Sequence, residues 1–395
     1  MSSRRVMQFM CGLPFLFNMR NCFLVTIAFS IIFLCRIASA QINSSSYEFS
    51  EIYRIGDEAR GDSILFAHHE YAQIAVNSNN YLFVGGHGES PVMYFSDEGH
   101  FAGYVGAQGK GPGEFKNSSS ILAGPGDSVY VFDVELLRLL VFDSTTLRYA
   151  YSITVPSSGL NPSSPLNLLG VTTTGYVFRY HTFYRPPNSS SGGYDPDESR
   201  FSFVNLADRQ GITQTFLAKL PAAETVVRTS RSSIAVMPLP FGRSPYFAYK
   251  DGLLYAGWND VIDISITSEK GDKIGTVKIA HEASPVTQKE IDAEVKKILS
   301  RRNQRSIRRS KLLPVTKPAY DALVVDDHGH IWIRKFPEPK SEYAKWLILD
   351  SESTLLGEME LPANLLLKVI KAGRAYASIN SEEYGPYIAV YEVAE

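Results

Sequence analysis

Cysteine is scarce in this chain, and so are long apolar runs. The 395 residues include three cysteines, all within the first 35 positions, so the part from Gln41 onward has none. Without disulfides, that part must be held together by a hydrophobic core, which its 355 residues are enough to build. The apolar run from Cys22 to Cys35 has 14 residues. A membrane-spanning helix needs about 20, so this run is short for a membrane span.

The first 40 residues instead have the features of an export signal. Basic residues precede the apolar run, the small-residue cleavage site Ala38-Ser39-Ala40 follows it, and Met19 is an alternative start. The sequence therefore predicts a signal peptide over residues 1–40, cleaved after Ala40, and a secreted, periplasmic or cell-envelope protein. Two alternatives stay open. One is an uncleaved membrane anchor, and the other is a lipid on Cys35, although Leu34 before it is bulkier than lipoprotein signals favour.

Net charge is low as well. It is −2 for the whole chain and becomes −6 once the four arginines of the first 40 residues are removed. This acidic balance argues against nucleic acid and against a broadly anionic surface as a partner. We expect a monomer with no transmembrane helix after cleavage. The expected partner is a protein, or a small anionic or glycan ligand.

What the sequence does contain is one short phrase repeated six times, a turn residue followed three positions later by an aromatic. The turn positions are Asn80, Asp127, Gly175, Gly252, Gly329 and Gly373, and the aromatics are Phe83, Tyr130, Phe178, Tyr255, Trp332 and Tyr376. A turn between two apolar, aromatic-rich runs is typical of a β-hairpin. The spacings of 47, 48, 77, 77 and 44 residues indicate one repeat with two insertions. We predict an all-β fold, a six-bladed β-propeller, as a single domain over residues 41–395.

The predicted ring closes through its N-terminal strand. The last repeat supplies three clear strands, and the segment near Glu48–Ile55 is expected to add the fourth. Long insertions in the third blade, between blades three and four, and between blades four and five all fall opposite the hairpin turns. The last of them predicts a surface helix within about residues 285–311. Because function is often carried by loops, we expect the protein to act through this side, which we call the insertion face.

The segment GAQGKGPGEF, from Gly106 to Phe115, resembles the glycine-rich phrase of NHL-type propellers. It is closer still to the exported bacterial 6-bladed β-propeller family, in which a phrase like VVDDHGHIWI, here Val324–Ile333, recurs later. The resemblance covers about Tyr47–Val393. It implies a six-bladed, exported fold and transfers no catalytic residue. The two long spacings and the helix depart from typical NHL repeats.

Lys110, in that glycine-rich segment, is the first candidate ligand-binding residue. Glycine amides and a lysine can hold an anion, although Gly111 stands where a P-loop has Ser or Thr and no helix follows. The alternative is a tight crossover between blades, in which glycines supply positive φ.

Histidines are the second group of candidates. His87 and His181, with His68-His69, would meet at the channel mouth as ligands, but no HxH or HxxxH spacing links them. We therefore predict no metal site and no cofactor, with a divalent cation left open. The segment from Asp326 to His330 falls on a hairpin turn, whose geometry Asp and Gly satisfy.

A basic cluster follows the predicted helix. Eight lysines and arginines and no acid lie between Lys296 and Lys311. One interpretation is that these cations interact favourably with the negative C-terminal end of the helix dipole. The other is that they attract an acidic glycan, a phosphate group or an acidic protein. The candidate binding residues in it are Arg301, Arg302, Arg305, Arg308 and Arg309.

No Ser-His-Asp order, nucleophile elbow or zinc-protease motif is present. The leading hypothesis is an exported binding or interaction module that acts through the insertion face. The alternative is a hydrolase or lyase for a sugar or lactone, with a site at the channel mouth and a divalent cation, because propeller enzymes assemble their sites from separate blades.

Overall fold

The structure is a computed structural model. The residues that it describes are 47–56, 73–85, 91–156, 163–182, 200–229, 234–298, 313–381, 383 and 385–394. No helix in these ranges is long and apolar enough to cross a membrane.

Strands dominate the described residues, with one α-helix, α1 (Gln288–Ile298), and a short 3-10 turn at Pro125–Asp127. The strands are, in chain order, β1 (Glu48–Ile55), β2 (Gln73–Val76), β3 (Leu82–Gly85), β4 (Val92–Phe95), β5 (Phe101–Val105), β6 (Ala107–Gln108), β7 (Glu114–Phe115), β8 (Ser118–Ala123), β9 (Val129–Asp133), β10 (Arg138–Phe142), β11 (Tyr149–Thr154), β12 (Ser163–Val171), β13 (Gly175–Thr182), β14 (Phe201–Asp208), β15 (Thr213–Pro221), β16 (Thr225–Thr229), β17 (Ile234–Pro238), β18 (Pro245–Lys250), β19 (Leu253–Trp258), β20 (Ile262–Ser268), β21 (Lys273–Ile279), β22 (Tyr320–Val325), β23 (Ile331–Lys335), β24 (Tyr343–Leu349), β25 (Leu355–Pro362), β26 (Leu365–Lys371), β27 (Arg374–Ser381) and β28 (Gly385–Ala394).

Six four-stranded antiparallel sheets form the blades of a ring. The innermost strands β2, β8, β12, β18, β22 and β26 contact one another in that order, and β26 contacts β2 again. The sixth blade has the order β1-β28-β27-β26, so the N-terminal strand supplies its outer edge. In this pairing Glu48 lies opposite Ala394 and Ile55 lies opposite Ile388. The predicted six-bladed ring and its closure by the N-terminal strand are confirmed.

In the structure, the turn residues and the aromatics of the repeated phrase have the conformation and burial that their residue types predict. Five of the six turn positions have positive φ, between 58° and 84°. At the sixth, Gly175, an added Cβ would lie 1.8 Å from the carbonyl oxygen of Ala207, so a side chain does not fit there. All six aromatics are at most 5 % exposed, which confirms that they belong to the core between blades.

The ring has two unlike faces. The turns between the first and second strand of each blade lie at one end, which we call the hairpin face. The connections between blades lie at the opposite end, the insertion face. Bonds between neighbouring turns confirm their common end: Asp127 Oδ1 accepts from the Ser78 amide at 2.8 Å, and Asp327 Oδ2 accepts from the Ala372 amide at 2.7 Å.

Helix α1 lies in the connection from blade four to blade five, within the predicted insertion of about 285–311. Its start is fixed by a capping box, in which the Thr287 amide and hydroxyl both donate to Glu290 Oε2 at 2.7 Å. The Glu290 amide donates back to Thr287 Oγ1 at 3.3 Å. Ile291 and Val295, four residues apart on one face of the helix, are buried.

Candidate functional site

The two long connections on the insertion face form one small structural unit. Ile291 and Val295 of α1 pack with Leu239 of the blade three to four connection in a hydrophobic cluster. Phe241 and Leu313 lie against the same cluster. The helix is therefore held against the neighbouring connection by apolar contacts.

Arg243 ties this unit to the propeller. Its side chain is 8 % exposed. Nε donates to Asp260 Oδ1 at 2.9 Å, and Nη2 donates to Thr316 Oγ1 at 2.6 Å. Both connections and the edge of blade four thus meet at one guanidinium, whose fork geometry fixes their relative position.

Lys317 forms a second buried link. Only 6 % of the residue is exposed, and Nζ lies 3.0 Å from Glu290 Oε1 and 2.6 Å from Glu338 Oε2. Burial by itself lowers the pKa of Lys317, but the hydrogen bonds that its ammonium donates to Glu338 and Glu290 outweigh burial and leave the pKa raised. The ammonium therefore stays charged and joins the first turn of α1 to the loop after β23.

A cavity of about 250 Å³ opens beside Lys317. Its lining mixes charges of both signs, with the ring of Tyr343 at 54 % exposure. The charged side chains are Lys317, Lys335, Lys345, Glu282, Glu338 and Glu360. A lining of this kind offers hydrogen-bond donors and acceptors together with one flat apolar surface.

His281 also lines this cavity. Burial lowers the pKa of its imidazole, and the positive charge of Lys335 lowers it further, against a small opposing effect of Asp260. The ring is therefore neutral at neutral pH. Its Nε2 atom is buried, and among the described residues no side chain or main chain binds it. A buried polar atom of this kind is uncommon, because most such atoms have a hydrogen-bond partner.

The sequence candidates lie elsewhere. Lys110 is exposed, and its carbonyl accepts from Arg138 Nη1 at 3.0 Å. In the glycine-rich segment, the Gly111 amide donates to Glu114 Oε2 at 2.8 Å. An added Cβ on Gly109 would lie 2.0 Å from that same carboxylate oxygen. The chain's own carboxylate thus occupies the inside of the loop, as the crossover interpretation requires, and anion binding by Lys110 stays a prediction.

His181 lies near the end of β13 and does not line the insertion-face cavity. Burial, and then the charges of Arg179 and Arg200, lower the pKa of its imidazole to about 4. A neutral imidazole between two guanidinium groups is a poor partner for a cation. Its role in ligand binding stays a prediction.

Several candidates lie outside the described residues. These are His68, His69 and His87, and Arg301, Arg302, Arg305, Arg308 and Arg309. Within the described ranges, no group of three or more His, Cys, Asp or Glu side chains is placed to hold a metal ion.

The Asp326–His330 segment forms the turn that the sequence predicts. Asp326 is 5 % exposed and accepts from the amides of His328 and His330 at 2.9 and 2.8 Å. Its Oδ2 also accepts from Trp332 Nε1 at 2.9 Å. The carboxylate is thus used by the hairpin and by the core aromatic of its own repeat.

Sequence reasoning missed the residues of the insertion-face cavity. His281, Lys317 and Tyr343 are spread over about 60 positions, and no motif joins them. The capping box Thr287–Glu290 was a readable signal for the start of the helix. Nothing in the local sequence shows that Glu290 also meets Lys317.

Residues 66–205 match a family model described as a 6-bladed β-propeller. The chain is a six-bladed β-propeller. The likeness to six-bladed propellers that the glycine-rich phrase suggested is confirmed over these residues. No curated protein matches the sequence.

Solved structures share this propeller fold. A protein from Bacteroides fragilis that is predicted to be exported has 12% sequence identity and a TM-score of 0.51, over 90% of this chain and 98% of its own. A member of the DUF4221 family from Bacteroides vulgatus has 10% identity and a TM-score of 0.49, over 89% and 100%. A gluconolactonase from Xanthomonas campestris has 11% identity and a TM-score of 0.46, over 90% and 93%. At these identities the likeness concerns the fold alone.

Proposed function

We propose that this propeller is an exported binding module that holds a glycan in the insertion-face cavity. The observation that carries the proposal is the cavity itself, which is lined by charges of both signs, by the neutral imidazole of His281 and by the exposed ring of Tyr343. Export is supported by the signal peptide that residues 1–40 predict.

The lining fits sugar chemistry. Each sugar hydroxyl donates and accepts hydrogen bonds, so it can bridge an ammonium such as that of Lys335 and a carboxylate such as that of Glu360. The ring of Tyr343 offers a flat surface for the C–H face of a pyranose. The neutral imidazole of His281 adds one further hydrogen-bonding atom.

The cavity walls are held in place before any ligand arrives. Lys317 is fixed by Glu290 and Glu338, and Arg243 fixes the adjoining connections. Binding to such a surface loses less conformational entropy than binding to a loose one. The predicted basic cluster from Arg301 to Arg309 follows α1 in the sequence, and it would add attraction for acidic glycans.

The test is a screen of the chain from residue 41 onward against neutral and acidic oligosaccharides. We expect binding that Tyr343→Ala weakens by about tenfold, because an aromatic contact contributes up to about 1.5 kcal/mol. The matched control is Tyr104→Ala, because Tyr104 is 59 % exposed on the outer strand of blade one. It should bind as the wild type does. Absence of binding, or equal binding by Tyr343→Ala, would contradict the proposal, and release of cleavage products would favour the enzyme hypothesis.

A further inference from the structure

The hairpin face carries a larger cavity, of about 440 Å³, at the mouth of the central channel. It lies between the inner turns of blades two, three and four, whose residues Gly124, Thr172 and Gly252 line it. Lys371 of blade six completes the lining. This cavity is at the opposite end of the ring from the one that the proposed function uses.

One position of the repeat, which we call the slot, supplies four of the residues that line this cavity. The slot lies two residues before each turn position, and it holds Ser78, Pro125, Thr173, Lys250, Asp327 and Lys371. Pro125, Thr173, Lys250 and Lys371 line the cavity. Ser78 and Asp327 bind the turns beside them instead. The sixfold repeat thus brings two lysines to one opening.

Most of the carboxylates nearby already accept hydrogen bonds from the chain. An exception is Asp251, which also lines the cavity, is exposed and lies 3.9 Å from Lys250 Nζ. Asp127 accepts from the amide and hydroxyl of Ser78, and Asp327 accepts from the amide of Ala372. Glu269, in the cavity lining, accepts from the hydroxyl of Tyr249.

The two lysines keep more of their donors. Lys371 Nζ donates to the carbonyl of Val76 at 3.1 Å, which uses one of the three N–H groups of an ammonium. Lys250 Nζ lies 3.9 Å from Asp251 Oδ2, which is beyond hydrogen-bond distance. Burial lowers the pKa of Lys371, the charge of Lys250 lowers it further, and Asp127, Asp327 and Asp251 oppose this effect. An anion bound to both ammonium groups would relieve their repulsion.

The walls between the lysines are rigid. The ring of Tyr249 lies over the bare backbone of Gly170, where an added Cβ would be 1.9 Å from Cδ1 of that ring. The blade-three turn is held by Arg209, whose Nη2 donates to the carbonyls of Thr172 and Thr173 at 3.1 and 3.0 Å. The hydroxyl of Thr173 is on an exposed residue of this turn.

We infer that this cavity is a second ligand site, which binds a small carboxylate carrying several hydroxyl groups. The carboxylate is held by the ammonium groups of Lys250 and Lys371. The hydroxyls of the ligand bind the hydroxyl of Thr173 and the second oxygen of Glu269. The volume fits one or two sugar-sized rings.

The test is calorimetry of the chain from residue 41 onward with galacturonate, galactose and inorganic phosphate. We expect galacturonate to bind, and galactose, which lacks the carboxylate, to bind at least tenfold more weakly. Lys371→Met and Lys250→Met should each weaken galacturonate at least tenfold. Lys270→Met, which removes an exposed charge from the neighbouring turn of the same face, should change it less than twofold.

Lys371→Met could loosen the ring through the lost bond to Val76. In that case the Lys250 variant decides the test, because no hydrogen bond of the Lys250 side chain to the described residues is lost. Unchanged binding in both lysine variants, or absence of galacturonate binding, would overturn the site. Phosphate that competes as well as galacturonate would overturn the hydroxylated carboxylate as its ligand. Tyr343→Ala, on the other face, should leave this binding intact, so that the two sites can fail separately.

Discussion

The rings of Tyr47 and Trp332 meet edge to face, with their centroids 5.2 Å apart and their planes at 69°. Tyr47 directly precedes the strand that closes the ring, and Trp332 is the repeat aromatic of blade five. Tyr47 is thus packed against the core of the neighbouring blade. The contact ties the start of the closing strand to blade five.

Replacing Trp332 with alanine should lower the free energy of unfolding by about 3–5 kcal/mol, because the side chain is 1 % exposed and fills space between blades. Trp332→Phe should lose less, since it keeps an aromatic ring at this position and gives up only part of the volume and the hydrogen bond to Asp326. Urea unfolding of the three proteins measures both values. A loss below about 1 kcal/mol for the alanine variant would show that Trp332 is not a core residue.

Deleting residues 47–55 should remove most of a net stability that is on the order of 5–15 kcal/mol. The deletion takes away the outer strand of blade six and exposes the edge of β28. The control is Ile52→Ala in the same strand, because Ile52 is 42 % exposed at the bulge and should cost about 0.5 kcal/mol or less. Cooperative thermal unfolding of the truncated chain at the wild-type temperature would contradict ring closure.

Lys317→Met should destabilise the protein by about 1.5–3 kcal/mol, because two carboxylates lose a buried hydrogen-bonded cation. Lys345→Met is a matched control on the same face. Lys345 pairs with Glu358 at 2.9 Å, but both side chains are about two-fifths exposed, so the loss should be about 0–1 kcal/mol. Equal losses in urea unfolding would mean that burial of Lys317 has no energetic role.

Glu290 should make stability depend on pH in acid. Hydrogen bonds from the Thr287 amide and hydroxyl, and then from Lys317, lower its pKa from 4.5 to about 2. The folded state therefore binds this proton more weakly than the unfolded state does. The contribution of Glu290 is fully present above about pH 4.5 and is lost as pH falls towards 2. Unfolding curves of wild type and Glu290→Gln should converge over this window. A difference that stays constant from pH 7 to pH 2.5 would refute this assignment.

The sequence was enough to predict the ring because its evidence is local and repeated. Asn80 and Gly373 lie at turn positions with positive φ, and Phe83 and Tyr376 lie in the core three residues later. Each repeat carries this information within a few residues. The closing strand could be predicted because the last repeat lacks a fourth strand.

The cavities could not be predicted in the same way. Lys250 and Lys371 are 121 positions apart and meet only because the ring closes. The slot before each turn was a signal that could have indicated them. On the insertion face, Lys317 contacts Glu290, which precedes it in the sequence, and Glu338, which follows it. That geometry depends on how α1 packs. The residues next to each of these positions in the sequence do not predict how the helix packs.

Histidine NMR can show whether a glycan binds in the insertion-face cavity. The chain from residue 41 onward, labelled at its imidazole nitrogens, is titrated with the oligosaccharide that binds best in the screen. We expect the signals of His281 to shift on binding, while those of His181 and His328 stay in place. Shifts of His328 on the hairpin face with His281 unchanged would contradict it, because the glycan would then occupy a different site.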